Sequence, residues 1–221
     1  MEKLFTEADL ERIREAVSGA EGQTSGEIVP YVMPRSGRYN VAVWRGASLM
    51  ALLALGVSGL IFQFYQGWSL GWLYTGWGTA VLALVAGTLG AVLTAYVPPI
   101  KRFMAGPDLL NRTVHRRAMQ AFVEEEVFNT RERTGILLFV SLLEHRIEVI
   151  GDAGINRRVT PDDWVEVVTR IRDGIKSGKP AEGLIDAIGM CGQLLQRKGV
   201  EIRPDDINEL SDSVRLREDE D

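Results

Sequence analysis

The chain has 221 residues, 46% of them hydrophobic, and a net charge of -5. Basic residues cluster beside an apolar middle and the end from 201 to 221 is acidic, a balance that argues against nucleic-acid binding. Cys191 is the only cysteine, which excludes an intramolecular disulfide and a multi-cysteine zinc site.

The first predicted element is a helix over 7–21. Thr6 and Asp9 form a capping box, in which the hydroxyl accepts a backbone N–H and the acid returns the bond. Leu10, Ile13, Ala16, Val17 and Ala20 then recur at helical spacing. After a Gly22–Gly26 break, 27–33 reads as a strand, with Pro30 favouring an edge place or a bulge because it lacks a ladder donor.

Residues 47–64 and 72–97 contain no Asp, Glu, Lys or Arg. A bilayer core requires about 20 such residues of helix, so the two runs predict a transmembrane hairpin; the alternative is a buried helical pair in a soluble domain. Trp68, Trp72, Tyr74 and Trp77 lie near the turn, with Trp44 and Tyr96 at the open end, as interfacial rings do. Arg35, Arg38 and Arg45 precede the spans and Lys101, Arg102 and Arg112 follow them, which places both flanks on the cytoplasmic side of an inner membrane. The first seven residues hold no signal-peptide-like run, in keeping with both termini being cytoplasmic. Ala83, Gly87, Ala91 and Ala95 form a small-residue stripe, suited to packing inside the hairpin or to a homo-oligomer.

Beyond the hairpin, a helix is expected over 109–128, a continuous apolar strand over 136–143 and a second strand over 146–150. Thr160-Pro161-Asp162-Asp163 starts another helix, with Trp164, Val167, Val168, Ile171 and Ile175 on its inner face. Leu184, Ile185, Ile188, Leu194 and Leu195 mark the last one, and Cys191 within it reads as a buried, inert thiol. The expected organisation is one split domain (1–45 and 98–203), a hairpin insert (46–97) and an acidic tail (204–221). The fold class is α/β, a layered sandwich with a mixed sheet flanked by helices and interrupted by the hairpin.

Thr24-Ser25-Gly26-Glu27-Ile28-Val29 and the run from Arg133 to Ile155 resemble the two signature strands of the TPM-domain family, and 204–212 resembles the tail of small bacterial members. The resemblance implies an α/β sandwich and, for some members, acid-phosphatase activity and divalent-metal binding, with Ca2+ foremost. By motif it implicates Glu27 and Asp152 as metal ligands, with Asp162 and Asp163 as neighbours. Hard oxygen ligands of this kind can hold a cation that polarises a phosphoryl oxygen. Helix capping accounts for Asp162 and Asp163 equally well, and a turn for Asp152. Arg133 and Arg146 are candidates to bind phosphate or an acidic partner, or to make local salt bridges. Two functions are expected on this basis. One is a membrane-tethered interaction or quality-control module whose partners are the lipid bilayer and a membrane or cytoplasmic protein; the other is a metal-dependent phosphatase.

Overall fold

The computed structural model describes residues 4–64, 71–72, 75–202, 205 and 207–217. Two compact units are present, Met1–Ser36 with Arg112–Asp221, and Gly37–Asn111.

In the first unit, α1 (Glu7–Glu21) starts at the capping box, where Asp9 N–H donates to Thr6 Oγ1 at 3.1 Å and Thr6 N–H donates to Asp9 Oδ2 at 3.0 Å. Strands β1 (Glu27–Met33), β2 (Gly135–Ser141), β3 (Arg146–Gly151) and β4 (Arg215–Leu216) form a mixed sheet in the order β3-β2-β1-β4. β1 is parallel to both β2 and β4, whereas β3 is antiparallel to β2.

Alternation along β1 and β2 feeds two cores. Ile28, Val32, Ile136, Leu138 and Val140 meet α1 and two C-terminal helices, and Val29, Tyr31, Met33, Leu137 and Phe139 meet the opposite layer. Both strands are buried along their whole length, so β2 needs an unbroken apolar run. The first face is covered by α1, α7 (Val165–Lys176) and α8 (Pro180–Arg197). The second is covered by Val114, Ala118, Ala121 and Phe122 of α5 (Pro107–Glu124).

Pro30 departs from its expected edge position, because β1 is an inner strand. Glu27 N–H points to β2, so by alternation the Pro30 nitrogen faces the β4 side. β4 pairs only with Tyr31 and Val32, and the missing donor falls where no strand lies opposite. The short α6 (Ala153–Asn156) follows β3, and the expected helix start at Thr160 opens as a 3-10 turn, Pro161–Trp164, before α7 begins.

The second unit contains α2 (Asn40–Phe64), α3 (Gly76–Tyr96) and α4 (Pro98–Ala105). It therefore reaches beyond the two apolar runs on each side. At 1.5 Å per residue the two long helices measure about 37 and 31 Å, enough to cross a hydrocarbon core. Both are long and apolar enough to span a membrane. Leu52, Leu60, Phe64, Trp77 and Leu84 point outward, unlike the residues of a soluble core helix. Trp72 and Trp77 are exposed near one end and Trp44 and Tyr96 near the other; Trp68 and Tyr74 lie outside the described residues. α2 and α3 meet at Gly46, Gly90 and Thr94, where a Cβ on Gly90 would stand 2.5 Å from the Gly46 carbonyl oxygen. Gly87 of the small-residue stripe faces Ala47 and Ala51 of α2.

Candidate functional site

The N-terminal ends of β1 and β2 and the C-terminal end of β3 share one end of the sheet. Glu27 is in register with Gly135, and Asp152 N–H donates to the Gly135 carbonyl at 2.9 Å. Glu27 and Asp152 thus stand two strand spacings apart, about 10 Å between backbones. The structure brings these two candidate acids to the same end of the sheet.

Each acid is engaged within the fold. Glu27 is 5% exposed and accepts the backbone N–H groups of Glu209 (3.2 Å) and Leu210 (3.3 Å) from the tail. Asp152 accepts Arg133 Nε at 2.6 Å, Arg133 Nη2 at 3.0 Å and the Ala153 N–H at 2.6 Å. Asp163 accepts the Thr160 N–H and Lys198 Nζ, both at 2.8 Å, and these bonds, Lys198 foremost, hold its carboxyl down to about 2. Asp162 is exposed on the 3-10 turn. Among the described residues no three His, Cys, Asp or Glu converge to hold a cation.

Arg133 and Arg146 occupy opposite ends of the sheet. Arg146 is in register with Ser141 at the far end of β2, about 20 Å from the β2 start. They cannot serve one phosphate group together.

Beside Asp152 lies an open cleft of about 390 Å³ whose lining includes Arg131, Arg133, Arg157 and Arg158, with Glu132 as its one acid. Its floor requires a glycine: a Cβ at Gly154 would stand 2.3 Å from the Glu132 carbonyl oxygen and 2.6 Å from that of Arg133. Arg133 has a left-handed backbone (φ 60°), a conformation uncommon for a side-chain-bearing residue. Bonds from its N–H to Thr130 and from the Gly154 N–H to its carbonyl hold it there. Arg131 donates Nη1 to Asp205 at 2.7 Å and its backbone N–H to Glu209 at 3.1 Å. Arg158 donates Nη1 to the Gly199 carbonyl at 2.8 Å. Only Arg133 of this group stands out by motif. The others carry a weaker signal, the Arg157-Arg158 pair just after a strand end and its turn.

Glu21 is a second residue that sequence reasoning passes over. Its Oε1 accepts the Ile28 N–H at 2.7 Å, the donor that β1 would otherwise leave unpaired on that side. Its Oε2 is buried without a hydrogen-bond partner. Burial, reinforced by the Glu27 and Asp212 carboxylates, pushes the Glu21 carboxyl up to about 8.

Hydroxyl nucleophiles are also accounted for. Thr134 Oγ1 donates to the Ser25 carbonyl at 2.7 Å. Ser141, for which the sequence pattern shows no neighbouring base, bonds Glu144 in the fold; both are buried, and Glu144 also accepts the Ser36 N–H. This pair closes the junction between the ends of β1 and β2. Cys191 is fully buried and burial pushes its thiol up to about 12, as expected of an inert cysteine.

An α/β domain with this mixed sheet and this conjunction of strand ends defines a class. Residues 102–194 match the family model of the TPM domain. The resemblance read in the sequence therefore holds for this part of the chain, which is similar to the TPM domain. The match begins after the hairpin, so β1 and Glu27 join the domain only through the sheet. The NMR structure of the BA42 protein from the psychrophilic bacterium Bizionia argentinensis is similar, with a TM-score of 0.58 and 20% identity, covering 98% of this chain and 98% of that one. At this identity the likeness is one of fold. No curated protein matches the chain.

Proposed function

We propose that this protein is a TPM domain tethered to the inner membrane by its hairpin, with both soluble segments on the cytoplasmic side, and that it works as a docking or quality-control module for other proteins. The observation that carries this reading is the engagement of Glu27 and Asp152 inside the fold, one by tail amides and the other by Arg133 and a helix-capping bond. Carboxylates engaged by internal donors in this way serve architecture. The basic flanks support the orientation.

A metal-dependent phosphatase is the second reading, favoured by the position of Asp152 beside an arginine-lined cleft. Hydrolysis of a phosphate ester by detergent-purified protein, with and without Ca2+, Mg2+ or Mn2+, separates the two. The docking reading expects no turnover above that of the Glu27→Gln/Asp152→Asn variant. Metal-stimulated turnover that disappears in that variant, with the fold intact, refutes it.

A further inference from the structure

We propose that the arginine-lined cleft at the start of β2 is a docking site for an acidic peptide segment of a partner protein. This assignment rests on the docking-module reading and gives that module a ligand class.

Four arginines and one acid line the cleft. Arg133 is paired with Asp152 and Arg131 with Asp205, which leaves Arg157 and Arg158 without a carboxylate partner among the described residues. The Arg157 side chain makes no hydrogen bond or ion pair among the described residues, and it is exposed. Arg133 turns Nε and Nη2 to Asp152, which leaves Nη1 free of that pair. Arg158 spends one N–H on the Gly199 carbonyl. Guanidinium groups in this state recognise carboxylates by paired N–H donors.

Two acidic residues of the tail already sit at the rim. Asp205 and Glu209, four residues apart in the tail, both bond Arg131, one through its guanidinium and the other through its backbone N–H. Arg131 lines the same cleft as Arg133, Arg157 and Arg158. Donors arise from two segments, the loop before β2 and the stretch after α6. A cleft of about 390 Å³ is also larger than one anion fills. Donors from two segments and excess room fit several carboxylates on one strand of peptide better than a single phosphate.

Exposed charge pairs give specificity and encounter rate more than tight binding, so a dissociation constant on the order of 100 μM at low salt is expected. The test uses the full chain in nanodiscs of uncharged phosphatidylcholine, with a fluorescein-labelled hexaglutamate peptide as probe and anisotropy as readout. Saturable binding, weakened at about 0.5 M salt where screening is strong, is expected. Arg157→Glu should weaken it about five- to tenfold; that side chain makes no hydrogen bond or ion pair among the described residues, so the variant should keep its melting temperature. Arg157→Lys should retain most of the binding.

Absence of saturable binding, or binding indifferent to Arg157→Glu, overturns the proposal. So does full displacement by 1 mM inorganic phosphate (about ten times the expected peptide constant), which makes this a phosphate site. Loss of peptide binding on adding phosphatidylglycerol to the discs assigns the arginines to the membrane surface and also overturns it. Phosphate-ester hydrolysis is measured on the same preparation. Metal-stimulated turnover refutes the docking-module reading whatever the peptide does, whereas no turnover and no peptide binding refutes only the assignment of this cleft.

Discussion

Asp152 holds Arg133 with both carboxylate oxygens, yet the side chains differ sharply in exposure, 6% for the acid and 54% for the base. The acid is the anchored partner. It also receives the Ala153 N–H, so it joins the end of β3 to the first residue of α6 while fixing the left-handed Arg133 at the start of β2.

This relationship predicts strong non-additivity. Asp152→Ala removes an acceptor from three donors and should cost about 2–3 kcal/mol, lowering the melting temperature by about 5–10 °C for a chain of this size. Arg133→Ala leaves a nearly buried carboxylate with the Ala153 N–H alone, and so is also harmful. The double variant should be no less stable than the worse single one, a coupling of about 1–3 kcal/mol. Thermal melts of the four proteins in detergent measure it, and strictly additive losses would refute the pairing as an energetic unit.

Glu21 predicts a pH dependence. Its folded value of about 8 lies above the ordinary 4.5, so the native state binds more protons than the unfolded chain between those values. Stability is therefore fully present below about pH 4.5 and is lost as pH rises through about 8, where an ionised Glu21 faces Glu27. Glu21→Gln keeps an acceptor for the Ile28 N–H and cannot ionise. Relative to wild type, the variant should gain melting temperature at pH 8.5 and little or nothing at pH 5. An equal offset at both pH values contradicts the assignment.

In the hairpin, Gly90 and Gly87 should respond differently. A Cβ at Gly90 meets the Gly46 carbonyl and Met50 at 2.5–2.7 Å, whereas one at Gly87 meets ordinary contacts at 3.5–3.6 Å. Gly90→Val should destabilise the hairpin by about 1–3 kcal/mol through overpacking, and Gly87→Ala should be tolerated. Crosslinking of cysteine pairs introduced across α2 and α3 reports the separation. Equal crosslinking in both variants would mean that close approach at Gly90 is unimportant.

Much of this architecture is legible from periodicity because local signals and tertiary packing agree. The Thr6–Asp9 box fixes the start of α1, and the uninterrupted apolar run of β2 announces burial on both faces. Pro30 shows where such reading fails. A missing donor marks a gap beside the strand, but only the tail, arriving nearly two hundred residues later, decides that the gap sits next to an inner strand. The site divides in the same way. Glu27, Arg133 and Asp152 are visible by motif, and their gathering at one sheet end depends on β1 and β2 pairing across the hairpin. Arg131 and Glu21 stay hidden, and Arg157 is only faintly marked by its pairing with Arg158, because their roles come from a cleft and a buried edge, to which spacing is blind.

The tail contacts give the last prediction. Asp205 and Glu209 occupy Arg131 at the rim of the cleft, so within the acidic-peptide assignment they compete with a partner's carboxylates. Asp205→Asn with Glu209→Gln removes two negative charges but preserves the backbone N–H groups of Glu209 and Leu210 that hold Glu27. Exposed pairs contribute about 0.2–1 kcal/mol each, so affinity for hexaglutamate should rise about two- to fivefold at low salt, with little change at about 0.5 M salt. The melting temperature should fall only slightly, since Arg131 and Asp205 are both well exposed. An affinity that falls in this variant would identify the tail as part of the binding surface instead of a competitor for it. An unchanged affinity would place the peptide on Arg133, Arg157 and Arg158 alone, away from the rim.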